Sequence, residues 1–500
     1  MAQQRARGST TRTTTQQIEY YTDGRKQRVS VQGLFAARQS RRAAPGDVQP
    51  MGFRVRPQTD GQQVMHLLAA QPPSVRARFS VVSEQTTMIA PVDPGRTTVI
   101  PTETVAVLGA RKAELTWARK EYGAQVVQEG SDGKVLLSVP AETENAPMTG
   151  AELARRLVER GTVDGAHPNF LRLVQRPSPG TTPAANQWGL DNDGTPGVVG
   201  ADVAALAAWT ITTGDPDIRV AVLDEGVDTR HPGLKPGVRA ERDFIGDKPD
   251  ARPDGDDAHG TACAGIVCAR GRVKGLAPGV GLVAARIAKG DGGHGWIFDD
   301  FNTADAIDWC WREGRSDVLS NSWGGGPPVD VITSAFRRAR TRGRGGKGAV
   351  VVIAAGNDQG PVSYPGSLPQ VLTVGASNQW DERKTMKSKD GEDWWGSNYG
   401  TGLDLMAPGV SILTTDIMGR RGYSTSQTTG SFNGTSSATP FVAAAAALVL
   451  SVRPDLTEEQ VRQLLVVTAD HLGSGKRDWT KYLGHGRVNA FAAVRAARRH

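Results

Sequence analysis

Cysteine is scarce in this chain. There are three in 500 residues, Cys263, Cys268 and Cys310. So small and odd a number excludes a disulfide framework as the source of stability. Long apolar runs are also missing. Even "FVAAAAALVL" has only about half of the ~20 residues that a membrane-spanning helix needs. The N-terminus "MAQQRARGSTTRTTTQQIEYY" has basic residues with no apolar stretch behind them, so no secretory leader is read there. The expectations are a cytoplasmic location and no membrane partner. Charge of one sign is lacking over most of the length. The net charge is +7, and residues 1–50, with nine Lys/Arg and three acids, account for six of it. The basic character therefore belongs to an N-terminal segment that reads as a solvated tail. No nucleic-acid partner is expected beyond a weak contact by this tail.

What is present is glycine (60), proline (29) and an apolar fraction of 38%, enough for a core in part of the chain. The length predicts two or three units. Residues 1–98 are polar and basic, without sustained periodicity, and are expected to be partly disordered. In residues 99–176, "ETVAVLG", "AQVVQEG", "KVLLSVP" and "FLRLV" read as strands. "RKAELTWARKEYG" and "GAELARRLVERG" carry helical spacing. The order βαββαβ is that of a small ferredoxin-like α+β domain. Residues 177–187, rich in Pro, Ser and Thr, read as a linker. From 188 to 500, Val- and Ile-rich runs such as "IRVAVLD", "DVLSNSW" and "AVVVIAAG" alternate with helical patterns. That is the signature of an α/β fold, a parallel sheet sandwiched by helices. In such sheets, sites gather beyond the carboxyl ends of the strands.

Four polar residues stand at element ends. Asp224 closes "RVAVLD", His259 lies in "DDAHGTACAG", Asn357 ends "AVVVIAAGN" and Ser436 lies in "FNGTSSATP". Each alone has a plain reading as a cap, a turn residue or a structural histidine. Together, in this order, they resemble the subtilisin-like serine proteases. The likeness extends over about residues 186–495, through "QWGL", "GLAPGVGLVAARI", "SNSWGGG", "LMAPGVSI" and "RPDLTEEQVRQLL".

The resemblance implies an endopeptidase acting on protein or peptide substrates. Ser436, the serine after "GT", would attack the scissile carbonyl, and His259 would take its proton. Asp224 would orient the imidazole. Asn357 would donate to the oxyanion beside the Ser436 N–H. Ser437 would be a first-turn helix residue. Ser322, Trp323 and Gly324 would line the edge on which a peptide adds as a strand. The βαββαβ unit resembles the propeptide of these enzymes and implies an inhibitory partner within the same chain, cut off between about 174 and 186. A catalytically silent fold that binds rather than cuts is the alternative.

Some residues depart from the pattern. Glu225 stands where most relatives have Ser or Thr, and "DEGVD" leans toward the kexin style. "SWGGGPPVD" lacks the acids that basic specificity needs. Cys263 follows His259 at the i, i+4 spacing of a metal pair, but no further zinc ligands are evident, so no metal centre is expected. The resemblance makes it a thiol beside the active site, sensitive to bulky reagents. No cofactor is expected for catalysis. Carboxylates in "DARPDGDDAHG" leave room for a structural calcium.

Overall fold

The computed structural model describes residues 13–22, 25–35, 53–57, 63–67, 86–89, 98–130, 133–140, 146–175, 187–246, 248–291, 295–369, 371–472 and 479–499. The cleavage region expected after residue 175, and most of the linker, lie outside them. The chain divides into two compact units. One comprises residues 1–94, 98–172 and 291–293, the other 95–97, 173–290 and 294–500.

In the first unit, β1 (Thr13–Thr22) and β2 (Arg25–Phe35) pair antiparallel, and β5 (Thr86–Ile89) adds to β2. β3 (Phe53–Pro57) and β4 (Gln63–Leu67) form a second pair. The β-branched and aromatic residues of "TTTQQIEYYT" favour a pleated surface. Next come β6 (Thr98–Leu108), α1 (Lys112–Tyr122), β7 (Gln125–Glu129), β8 (Val135–Ser138), α2 (Ala146–Glu159) and β9 (Gly165–Gln175). Within this unit the sheet order is β9-β6-β8-β7. Alternate residues Val105 and Val107 of β6 meet Leu137, Ala118 of α1, and Leu153 and Leu157 of α2 in one buried cluster.

The second unit is built on seven strands, all parallel. The helix α3 (Ala205–Trp209) precedes them. In chain order the elements are β10 (Arg219–Asp224), β11 (Val238–Asp243), α4 (His259–Cys268), β12 (Gly281–Arg286), the hairpin β13 (Ala288–Gly290) and β14 (Gly295–Asp299), α5 (Asp300–Arg312), β15 (Val318–Asn321), α6 (Asp330–Arg342), β16 (Val350–Ala354), β17 (Leu372–Ser377) and β18 (Leu405–Pro408). There follow the pair β19 (Ile412–Thr415) and β20 (Thr428–Phe432), then α7 (Thr435–Val452), α8 (Glu458–Val467) and α9 (Ala490–Ala497).

The spatial order is β11-β12-β10-β15-β16-β17-β18. After β10 the chain crosses to the edge strand β11, comes back inward to β12 beside β10, then passes to β15 on the other side and builds outward from there. The reversal falls between β10 and β15, and ligands of open α/β sheets bind outside the carboxyl ends at such a point. Asp224 and Asn321 are the last residues of those two strands.

Two helix pairs flank the sheet, α4 with α7 and α5 with α6. α7 is long and apolar enough, by length and composition, to cross a membrane. It is 18 residues, longer than the apolar run read from the sequence, and its apolar window is 89% buried inside the protein. It packs on β15 to β18, α4, α8 and α9. A helix that is apolar all round belongs in a core. Its run Ala443–Ala447 lets neighbouring backbones approach closely, because Ala adds a single carbon to the surface. Inserting bulk there forces shifts that cost ~1–3 kcal/mol. Ala445→Leu is therefore expected to lower the thermal midpoint by several degrees. An unchanged midpoint in a melting scan would contradict this packing.

Candidate active site

His259 is the first residue of α4. Its backbone N–H has no partner inside the helix, as for every first-turn residue. Glu225 supplies one: its Oε1 accepts that N–H at 2.7 Å. A carboxylate at a helix amino end is also favoured by the helix dipole. This gives Glu225 a local role that Ser or Thr, with shorter side chains, would have to fill differently. Arg286, at the end of β12, donates through Nε to the Glu225 carbonyl at 3.3 Å. Glu225→Ala is expected to destabilise by about 1–2 kcal/mol, the cost of losing a helix cap. Chemical denaturation would show it as a lower midpoint with unchanged slope.

The His259 side chain is buried. Its Nδ1 lies 2.9 and 3.0 Å from the two carboxylate oxygens of Asp224. Asp224 Oδ1 also accepts the Glu225 N–H at 2.8 Å, which fixes the carboxylate. A carboxylate accepts only, so Nδ1 carries the proton and Nε2 of the neutral ring is the acceptor. Nε2 has no hydrogen-bond partner among the described residues. The ring is held edge-on by Trp296, with centroids 4.4 Å apart, and by Phe432, at 5.2 Å. Neither aromatic was singled out from the sequence, since a lone Trp or Phe in a strand reads as core.

Ser436 is the second residue of α7. Gly434, just before the helix, has φ 113°, a region that L side chains rarely adopt. Pro440 lies inside the helix. It has no N–H to give to the carbonyl four residues earlier, which is that of Ser436. That carbonyl instead accepts from Ser322 Oγ at 2.9 Å and faces Cys263 Sγ at 3.6 Å. The Ser436 hydroxyl in turn donates to the Ser322 carbonyl at 3.3 Å. Ser437 is bonded inward: its Oγ donates to the Gly434 carbonyl at 2.8 Å. Ser322→Ala would strip the Ser436 carbonyl of its short hydrogen bond, and an unmade buried bond costs ~1–3 kcal/mol. A melting midpoint equal to wild type would argue against it.

Asn357 follows β16. Its Oδ1 accepts from the Thr435 N–H at 2.8 Å and from the Thr435 hydroxyl at 3.0 Å. A backbone N–H needs an acceptor, so the amide is oriented with its oxygen toward Thr435. The amide nitrogen is turned the other way. The structure thus brings Asp224 and His259 into contact and places Asn357 on the residue before Ser436. It does not join the Ser436 hydroxyl to His259 by a hydrogen bond.

Among the expected peptide-binding residues, Ser322 is tied to Ser436 as described. The Trp323 indole is buried, stacked 6.0 Å from Phe336 and edge-on to Phe298 at 5.6 Å. A Cβ on Gly324 would come 2.8 Å from the Tyr364 carbonyl oxygen. Close approach at this glycine is therefore demanded by the protein's own backbone.

Asp224, His259 and Cys263 offer ligand atoms within 4.8 Å of one another. Metal binding would need a thiolate and a free Nδ1. Nδ1 already donates to Asp224. Burial, reinforced by the Asp224 charge, pushes the Cys263 thiol well above its ordinary value. The same burial makes the thiol poorly reactive, against the expected sensitivity to bulky reagents. Two of the four carboxylates considered for calcium are ion-paired. Asp254 is paired with Lys248 and, at 2.5 Å, with Arg286, and Asp250 is paired with Arg252 at 2.8 Å.

A protein-family model described as the Subtilase family matches residues 215–486. The chain belongs to the subtilase family of serine proteases. It is 35% identical over 288 residues to a subtilisin from Bacillus pumilus, covering 56% of this chain and 91% of that protein. It is 29% identical over 425 residues to a calcium-dependent protease from Nostoc sp.. That match covers 77% of this chain, which spans 59% of the Nostoc protein's length. A solved protease structure from Pseudoalteromonas arctica matches with a TM-score of 0.51 and 29% identity. It covers 62% of this subtilase and 97% of that chain. The subtilisin relatives are secreted enzymes, which overturns the cytoplasmic location expected from the N-terminal residues. Lack of an apolar leader in these residues does not locate the protein.

Proposed function

We propose that this subtilase is a serine endopeptidase working through Asp224, His259 and Ser436. The observation that carries the reading is the Asp224–His259 pair, which leaves Nε2 as a buried acceptor with no hydrogen-bond partner among the described residues. In the reaction, Nε2 takes the Ser436 proton as Oγ attacks the peptide carbonyl. Asp224 stabilises the imidazolium that forms. The oxyanion is met by the Asn357 amide nitrogen and the Ser436 N–H, at the amino end of α7 where the helix dipole also favours negative charge. His259 then returns the proton to the leaving amine. Water hydrolyses the acyl-enzyme by the same route. Ser322, Trp323 and Gly324 form the strand edge for the peptide. Basic specificity of the kexin kind is not part of the proposal, because "SWGGGPPVD" has glycines and prolines where the pocket acids would stand.

The unit at 99–176 is proposed to be a propeptide-type, ferredoxin-like domain that restrains the enzyme at 188–500 until the chain cuts itself in the linker. Numbered from β6 along the chain, its sheet order is 4-1-3-2, the order of a split βαβ fold. A structural calcium rests on the names of two calcium-dependent relatives. A second reading is a latent or silent fold. It is favoured by the Ser436 hydroxyl, which donates to Ser322 and not to His259.

A fluorophosphonate probe separates these readings. Covalent labelling of the wild type, with a cut chain by intact mass, supports the enzyme. No labelling after limited proteolysis removes residues 1–185 would establish the silent fold.

A further inference from the structure

The segment after β17 holds a charge that the chemistry above does not use. The Lys384 side chain is fully buried, 0% exposed. Its Nζ donates to the Thr385 carbonyl at 2.8 Å and to the Glu392 carbonyl. It lies 2.8 Å from Asp390 Oδ1 and 3.4 Å from Ser388 Oγ. The Trp395 ring centroid is 5.3 Å away. Three ammonium protons thus meet two peptide carbonyls and a carboxylate, with a hydroxyl beside them. All four oxygens come from the eight residues Thr385–Glu392. Carboxylates, carbonyls and hydroxyls are what calcium and other hard cations take as ligands.

The carboxylate is fixed as an anion. Asp390 Oδ2 accepts from Ser388 Oγ at 2.6 Å and from Asn378 Nδ2 at 2.9 Å. Burial alone would raise its pKa, but the hydrogen bonds from Lys384, Ser388 and Asn378 hold it below the ordinary carboxylate range. An unpaired buried charge is costly on either side. The loop therefore requires a cation, and the ammonium requires the loop.

The cage is connected to the turn before α7. Glu392 provides one cage carbonyl. Its side chain accepts the Trp395 Nε1–H at 2.5 Å and the Asn433 Nδ2–H at 3.0 Å. Asn433 Oδ1 accepts the Ser411 N–H at 2.6 Å. Asn433 is three residues before Ser436. The other end is anchored in the sheet, where the Lys384 N–H donates to the Ala376 carbonyl of β17 at 2.8 Å.

We propose that Lys384 is a built-in cation. Its ammonium sits where a hard metal ion would sit in the oxygen cage of Thr385–Glu392. Through Glu392 and Asn433 it positions the turn that carries Ser436. The cage stands on geometry alone. The positioning role rests on the proposed function.

Removing the side chain should convert the cage into a metal site. The test uses the full chain and Tb³⁺ excited through tryptophan, with Trp395 as the adjacent donor. Lys384→Ala is expected to show at least about tenfold more sensitised emission than wild type, competed by Ca²⁺. Lys384→Ala combined with Asp390→Asn should return to the wild-type level. Calcium should raise the melting midpoint of Lys384→Ala more than that of wild type, and should not rescue Lys384→Met, whose side chain still fills the cage. For positioning, kcat of Lys384→Ala should fall about tenfold with KM within about twofold, and calcium should restore it. A folded Lys384→Ala with no more emission than wild type overturns the cage. If Lys384→Ala does not fold, Asp390→Asn decides: a lowered midpoint supports the cage and a wild-type midpoint overturns it. A wild-type kcat in Lys384→Met overturns the positioning role. Terbium emission in Lys384→Ala, with no fluorophosphonate labelling of wild type, would leave the cage standing and remove the function it serves.

Discussion

Ser436→Ala is expected to abolish fluorophosphonate labelling and to lower kcat roughly a million-fold, while Ser437→Ala should keep both within about threefold. The first figure is the one known for loss of the nucleophile in subtilisin, a relative, and is carried over from it. The asymmetry between neighbours follows from their bonds. The Ser437 hydroxyl donates to the Gly434 carbonyl and closes the first turn of α7. Its removal costs about 1 kcal/mol of stability, the worth of one ordinary hydrogen bond. The Ser436 hydroxyl has only a longer bond, 3.3 Å, to the Ser322 carbonyl. It is the one of the two that can be given up to a base. Active-site titration and intact mass of the two variants provide the check. Equal loss in both, or label retained on Ser436→Ala, would assign the chemistry elsewhere.

Asn357→Ala is the second large effect. It is expected to lower kcat by ~10²–10³ with little change in KM. This is the range for loss of a side-chain oxyanion donor, set by subtilisin itself. The reason is electrostatic. The amide is already oriented, because its oxygen accepts two hydrogen bonds from Thr435. As an oxyanion donor it would need no reorganisation when negative charge develops, and would do little for a neutral ground state. Asn357→Asp should be no better, since a carboxylate would face the oxyanion with like charge. Steady-state kinetics on a peptide ester decides. A rise in KM with kcat unchanged would make Asn357 a substrate-binding residue instead. Thr435→Val should show a smaller fall in kcat, because the Thr435 N–H remains to hold the Asn357 oxygen.

Much of this protein was legible in the residues themselves. Val- and Ile-rich runs separated by amphipathic stretches specify a parallel sheet between helices, because both faces of such a sheet must be covered. The strand "RVAVLD" ends in Asp224, and "AVVVIAAGN" runs on past its last strand residue to Asn357. Both are placed by local pattern beyond the carboxyl ends of strands, where topology gathers chemistry. The glycine and small residues before Ser436 likewise mark a tight entry into a buried helix.

Other features exist only because distant segments meet. Glu225 appears in the sequence as a departure from a pattern, and becomes the cap of α4 when β10 lies beside it, 34 residues from its partner His259. Pro440 in a helix looks like a defect until Ser322, 114 residues before Ser436, provides the bond that Pro440 cannot. Cys263 has metal-like spacing to His259 in one dimension. In three, the imidazole is already committed to Asp224 and burial keeps the proton on sulfur. Of the acids of "DARPDGDDAHG", in which the sequence leaves room for calcium, Asp250 and Asp254 are paired with Arg252, Lys248 and Arg286. Lys384 stands in no sequence pattern that sets it apart, and is buried.

The sequence by itself determined the alternation of strands and helices after residue 98 and which side chains are chemically able to act, because periodicity and residue type are local properties. The strands β1 to β5 before it carry no sustained periodicity and were not legible there. Only the tertiary structure decided which charges are spent on each other and which carbonyl is left for whom. Those depend on contacts between residues tens to hundreds of positions apart, and no local pattern records them.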